Sequence, residues 1–248
     1  MIGEGPRLIE GLDVLADVAA AGVPGAVARR DKLIARRDEA LAMIRADGLL
    51  AARACWRVAA LRGEPGSGGV LDLDGGRLEA PWLVPASGQL TGVACAVATL
   101  GPALEARVAS LFAERRVSLA MALDGLANEL LVALVRRVQD RMFAALRRRG
   151  LCMAGELRAG DPGLALQAQR TVLALAGAEA IGVTLTGTLM MNPTKTTSLV
   201  QAVGYDLPRE SWSRCDACRF RERCTLAAQT ARPASQAAGE HSPMREAT

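Results

Sequence analysis

Leu185 to Ser198 reads LTGTLMMNPTKTTS, and its reading decides the fold. An apolar, strand-like run from Val183 to Met191 breaks at Pro193, which has no N–H to give to a sheet ladder and so belongs at an edge or a bulge. Lys195 and the hydroxyls of Thr196, Thr197 and Ser198 follow at once, and a second strand is expected from Thr196 to Val203. Taken alone, the stretch is a strand, a kink and a polar strand, with Lys195 as an exposed rim lysine.

Upstream, Leu164 to Ala176 reads as a helix, and Cys152 to Gly163 as irregular. Within that irregular part, Arg158-Ala159-Gly160-Asp161-Pro162-Gly163 is a turn whose glycines leave backbone groups accessible. It can be a plain connection, or a cradle in which Arg158 pairs a ligand carboxylate. Before it runs a long helix from Ser118 to Arg149. Leu119, Leu123, Leu126, Leu130, Leu134, Val138 and Met142 recur at spacings of three and four and form one apolar stripe. Asp124, Asn128 and Glu129 interrupt that neighbourhood, with Asp124 and Asn128 one turn apart on a shared face. They are either a solvated face or the polar rim of a ligand groove.

Further out, a helix is expected from Gly101-Pro102 to about Arg116, a buried strand from Val93 to Thr99, and a short helix opening at Ser87 to Gly92. Strands are expected at Arg53–Leu61, Val70–Asp74 and Arg77–Leu83, with a hairpin turn at Asp74-Gly75-Gly76. Ala26 to Ala46 reads as a helix dense in Arg, Lys and Asp. The order predicts an α+β domain, long helices packed on a mostly antiparallel sheet, spanning residues 1–226 with a small, polar, disordered tail at 227–248.

The chain has 248 residues, half of them hydrophobic and only 3% aromatic, with a net charge of +4. Scattered arginines and few aromatics give a nucleic-acid interface little support. No apolar run approaches the roughly 20 residues of a membrane span, and the N-terminus lacks the charged and apolar regions of a secretion signal. A cytoplasmic protein without a membrane partner is expected. The single histidine, His241, leaves no Ser-His-Asp triad and no histidine-rich metal centre. There is no P-loop and no glycine-rich dinucleotide fingerprint.

Six cysteines in a reducing compartment read as thiols or metal ligands. Cys215, Cys218 and Cys224 form a C-x2-C-x5-C pattern able to wrap one metal, with Cys152, His241 or an external group as fourth ligand. Iron–sulfur and zinc both remain open, as does a cluster without metal. Cys55 and Cys95 sit in strand-like runs and read as core.

The opening stretch, Leu185-Thr186-x-Thr188-x-Met190-Met191-x-Pro193-x-Lys195-Thr196-Thr197-Ser198, resembles a segment of the activation domain of cobalamin-dependent methionine synthase, and of free-standing bacterial relatives of that domain. Ala98-Thr99-Leu100-Gly101, the Asp124 helix, the Arg158 to Gly163 turn, Leu166 with Gln169, and Ile181-Gly182-Val183 are similar to further family segments in the same order, from about Arg53 to Cys224. The chain departs from the family at Gly187, Leu164 and Asn128, where a glutamate, a tyrosine and a second carboxylate are usual; Glu129 is displaced by one residue. The resemblance implies binding of S-adenosylmethionine at Asp124, Glu129, Arg158, Gly160, Pro162, Gly163, Thr186, Pro193, Lys195, Thr196 and Ser198. It also implies a partner, a corrinoid-binding protein or cobalamin-dependent methyltransferase that holds the cobalamin. The domain would return an oxidised cobalt to methylcobalamin in trans. Two alternatives stand beside this: a corrinoid-protein partner or chaperone without S-adenosylmethionine chemistry, and an iron–sulfur electron donor to the cobalt.

Overall fold

The computed structural model describes residues 5–20 and 31–208. Its elements in chain order are β1 (Arg7–Ile9), α1 (Val14–Ala20), α2 (Asp31–Ala46), β2 (Arg53–Ala60), β3 (Val70–Leu73), β4 (Gly76–Glu79), β5 (Gln89–Thr99), α3 (Ala103–Ala113), α4 (Val117–Arg147), β6 (Cys152–Leu157), α5 (Gln169–Ala176), β7 (Thr184–Leu185), β8 (Met191–Asn192) and β9 (Thr196–Tyr205). This is the expected α+β architecture.

A five-stranded sheet in the order β1-β2-β5-β9-β6 organises the chain, and every pairing in it is antiparallel. Two apolar cores sit on its two faces. On one, the stripe of α4 packs with α1, α2 and α3 over Ala94, Ala96, Ala98, Leu199 and Val203. All seven residues of the stripe are buried, none more than 1% exposed. By length and composition α4 could cross a membrane, but its apolar face is taken up by this core, as for a buried helix of a globular domain. On the other face, α5 and the β3–β4 hairpin cover Cys95, Val97, Val200 and Ala202. Strand alternation divides β9 between the two: odd-numbered residues face α4 and even-numbered ones face α5.

Several expectations are corrected. Ser87–Gly92 opens no helix; β5 begins at Gln89, whose register partner is Tyr205 of β9. Cys152–Gly163 is not irregular throughout, since β6 forms the sheet edge. A register shift between Ala154 and Leu157, with Gly155 at φ 62°, breaks the alternation that would have revealed it. The run Val183–Met191 is not one strand. It folds back as the small β7–β8 hairpin, turning at Thr186–Met190 with Leu189 at φ 65°. The Arg77 strand stops at Glu79, because Pro81 opens a 3-10 turn through Leu83. The helix placed at Leu164 begins in a 3-10 turn at Leu166 and becomes α-helical at Gln169.

Candidate functional site at the start of strand β9

Pro193 is buried, follows a cis peptide bond from Asn192, and delivers the chain from the β7–β8 hairpin into the sheet. The segment is tied down from three sides. The Thr194 backbone N–H donates to Glu105 of α3 over 2.6 Å, and its hydroxyl bonds the same carboxylate. The Leu100 N–H donates to the Lys195 carbonyl over 3.0 Å. The Lys195 ammonium reaches α4, where it lies 2.7 Å from Asp124 Oδ1 and donates to Asn128 Oδ1 over 2.9 Å. Lys195 is not the exposed rim lysine expected, because only 13% of its side chain is open, against 41% for Asp124. The helical spacing that put Asp124 and Asn128 on one face thus yields a two-oxygen acceptor for a cation.

Two residues along β9, about 7 Å at the backbone, Thr197 shares the face of Lys195. Its hydroxyl accepts from Arg158 Nη1 at 2.9 Å. Arg158 also donates to Glu156 Oε1 from Nε and Nη2, over 3.3 and 3.1 Å. Glu156 in turn accepts from Gln139 of α4 at 2.9 Å, and Gln201 donates to the Gly155 carbonyl at 3.0 Å. These contacts fasten the guanidinium between the edge strand and α4 while leaving 24% of the Arg158 side chain open.

The turn after Arg158 is self-bonded. The Arg158 N–H donates to Asp161 Oδ2 over 2.9 Å, the Gly160 N–H to the Leu164 carbonyl and the Leu164 N–H to the Asp161 carbonyl. Pro162 is exposed at its tip. Gly163 has φ 83°, and a Cβ there would stand 2.7 Å from Cγ of Trp82, so both backbone and space require glycine. Trp82 and Leu166, 52% and 43% exposed, border this turn.

The remaining sequence candidates lie elsewhere. Thr196 and Ser198 point to the α5 side and are buried, Thr196 donating to Thr99 Oγ1 at 2.8 Å and Ser198 reaching Gln169 Oε1 at 3.5 Å. Thr186 closes the β7–β8 turn by accepting from the Met190 N–H at 3.1 Å. Glu129 turns toward α2 and forms an ion pair with Arg37, 2.9 Å apart and nearly closed to solvent, where burial holds its carboxyl above the usual range against the pull of the guanidinium. Thr197, Glu156 and Gln139 were missed. Period-two alternation from Lys195 would have found Thr197, whereas Glu156 and Gln139 carry no local signal. Cys215, Cys218 and Cys224 lie outside the described residues, and among the described residues no three metal-ligating side chains gather.

Fold and site together define an α+β domain in which one long helix and a sheet edge bring an acceptor pair and a guanidinium to one surface. No protein-family model and no curated protein matches the chain. Among solved structures it is similar to the crystal structure of the MetH reactivation domain bound to AdoHcy, with a TM-score of 0.62 and 13% identity over 82% of this chain and 80% of that one. At that identity the likeness is one of fold.

Proposed function

We propose that the chain binds S-adenosylmethionine at the β9–α4 surface and uses its methyl group to restore a corrinoid held by a separate protein. The observation that supports this best is the convergence of the Asp124–Asn128 acceptor pair and Arg158 on one surface of a fold similar to an AdoHcy-bound domain. The ligand's carboxylate is suited to the Arg158 guanidinium, and its sulfonium to the carboxylate and amide oxygens of Asp124 and Asn128. The backbone of the Gly160–Gly163 turn adds polar groups beside Arg158. Methyl transfer breaks the sulfonium C–S bond and leaves a neutral thioether. No proton moves, which agrees with a chain whose only histidine is His241. Starting from cobalt(II), the product methylcobalt also needs one electron, which a reductant must supply. The work of this chain's residues is therefore to bind and orient rather than to act as acid or base.

Calorimetric titration with S-adenosylmethionine tests the reading. A Kd in the micromolar range or weaker is expected, about −8 kcal/mol or less favourable. Absence of heat and of thermal shift up to millimolar ligand would leave the second reading, a corrinoid-protein partner without this chemistry. That reading draws support from the internal pairing of Asp124 with Lys195.

We also propose that Cys215, Cys218 and Cys224 hold a metal. Cys152 is exposed at the start of β6, and its register partner Gly204 lies near the end of β9, from which the cysteine-bearing segment continues. Anaerobic purification with metal analysis and a visible spectrum separates the cases. Iron with sulfide indicates electron delivery, zinc a structural site. A metal-free protein unchanged by Cys218→Ser removes the cluster from the function.

A further inference from the structure

We infer that Lys195 sets the charge preference of the proposed site, making it accept the neutral thioether nucleoside at least as readily as the cationic sulfonium one. The inference deepens the proposed function and rests on it. Its basis is the charge arithmetic of the surface. Asp124 would attract a cation, but the Lys195 ammonium already sits 2.7 Å from its carboxylate and donates to Asn128 beside it. Arg158, the other strong charge, is matched by Glu156 at 3.1 Å. Each of the two charges proposed to meet the ligand is thus matched by a partner of opposite sign, so Asp124 offers a sulfonium little attraction beyond what the thioether receives.

The ammonium is not a loose surface charge that a ligand could push aside at little cost. The backbone on both sides of it is anchored, through Thr194 to Glu105 and through the Lys195 carbonyl to Leu100. Its side chain is mostly covered, while the carboxylate it neutralises keeps an open side. That open side continues over Gly125, where an added Cβ would meet nothing within 4 Å, and over Met121, which is 60% exposed. A ligand can therefore reach Asp124 from solvent and still find it neutralised from behind. Charges held this close act with an effective dielectric well below that of water. Deleting one of them should change the discrimination between a cation and its neutral analogue by about tenfold, the equivalent of about 1.4 kcal/mol.

The test is calorimetric titration of the full-length protein and its variants with S-adenosylmethionine and S-adenosylhomocysteine, read as the ratio of the two Kd values. In the unsubstituted protein the thioether should bind as tightly as the sulfonium or tighter. Lys195→Met should shift the ratio about tenfold toward the sulfonium, and Lys195→Arg should leave it near the starting value. Asp124→Asn, at a more open position, keeps the test alive if Lys195→Met does not fold; it should shift the ratio about tenfold the other way. Binding of both ligands with a ratio that neither Lys195→Met nor Asp124→Asn changes overturns this inference and leaves the proposed function standing. Failure of both ligands to bind any of the proteins overturns both.

Discussion

Glu129 and Arg37 show how one residue's surroundings decide its role. Glu129 is one position from Asn128, yet that 100° step around α4 carries it from the open surface to a nearly closed contact with α2. A buried ion pair contributes little net stability, but removing one partner leaves the other charge stranded. Arg37→Met should therefore lower unfolding free energy by about 3–5 kcal/mol near neutral pH. The pH dependence has a definite sign. Burial already raises the folded Glu129 carboxyl above its unfolded value, and loss of Arg37 raises it further. A group raised in the folded state contributes most below its unfolded pKa of about 4.3 and loses that contribution as pH rises through the folded value. Denaturant titrations should show a smaller deficit in the variant at pH 4.5 than at pH 7.5; equal deficits would mean that Glu129 is charged and solvated in the variant. Cys55 and Cys95 provide a second test at this scale, since burial pushes both thiols up to about 12. At pH 8 only about one in ten thousand of each is thiolate. Peptide mapping after alkylation of the native protein should find Cys152 modified and these two intact.

Among the elements, α4 was the most legible and β6 the least. The seven-residue stripe of α4 is written in its spacings, and the structure buries all of it. Leu134→Ala should cost about 2–5 kcal/mol in chemical denaturation, because a closed core cannot collapse around the void. β6 has a bulge and a positive-φ glycine in place of alternation, so its strand character comes from pairing with β9 rather than from its own residues. The same holds for Gln89–Gly92, which is recruited into β5 by partners distant in sequence. In the Arg158 turn the glycines were legible as a turn, but the reason for Gly163 was not, because Trp82 approaches it from far upstream. Gly163→Ala should lose about 1–2 kcal/mol from the backbone alone, with more from displacing the indole. A thermal midpoint unchanged from the parent protein would show that the turn can relax.

At the scale of the whole molecule, the sheet separates two apolar cores, and the site lies where β9 enters the sheet, beside the first half of α4. Asp124 and Arg158 were readable as candidates from their local sequence and Lys195 from the family resemblance, and their assembly was not. Contacts such as Lys195 to Asp124 and Gln139 to Glu156 depend on how α4 lies along β9, which no local pattern encodes. Thr196 and Ser198 entered the candidate set through the family resemblance, and strand geometry sends them to the α5 side.

The alternating allegiance of β9 has a consequence for how freely this protein can vary. Lys195, just before the strand, and Thr197 within it meet polar and charged groups of α4 and the sheet edge; Thr196 and Ser198 face the α5 side. Changes at the half-buried Lys195 should therefore alter ligand preference in a folded protein, whereas changes at Thr196, Thr197 and Ser198, all buried, should alter folding itself. A deletion of one residue before Lys195 would interchange the two faces, carrying Thr197 to the α5 side and the hydroxyls of Thr196 and Ser198 to the side of α4. The strand can change one residue at a time, but it cannot slide.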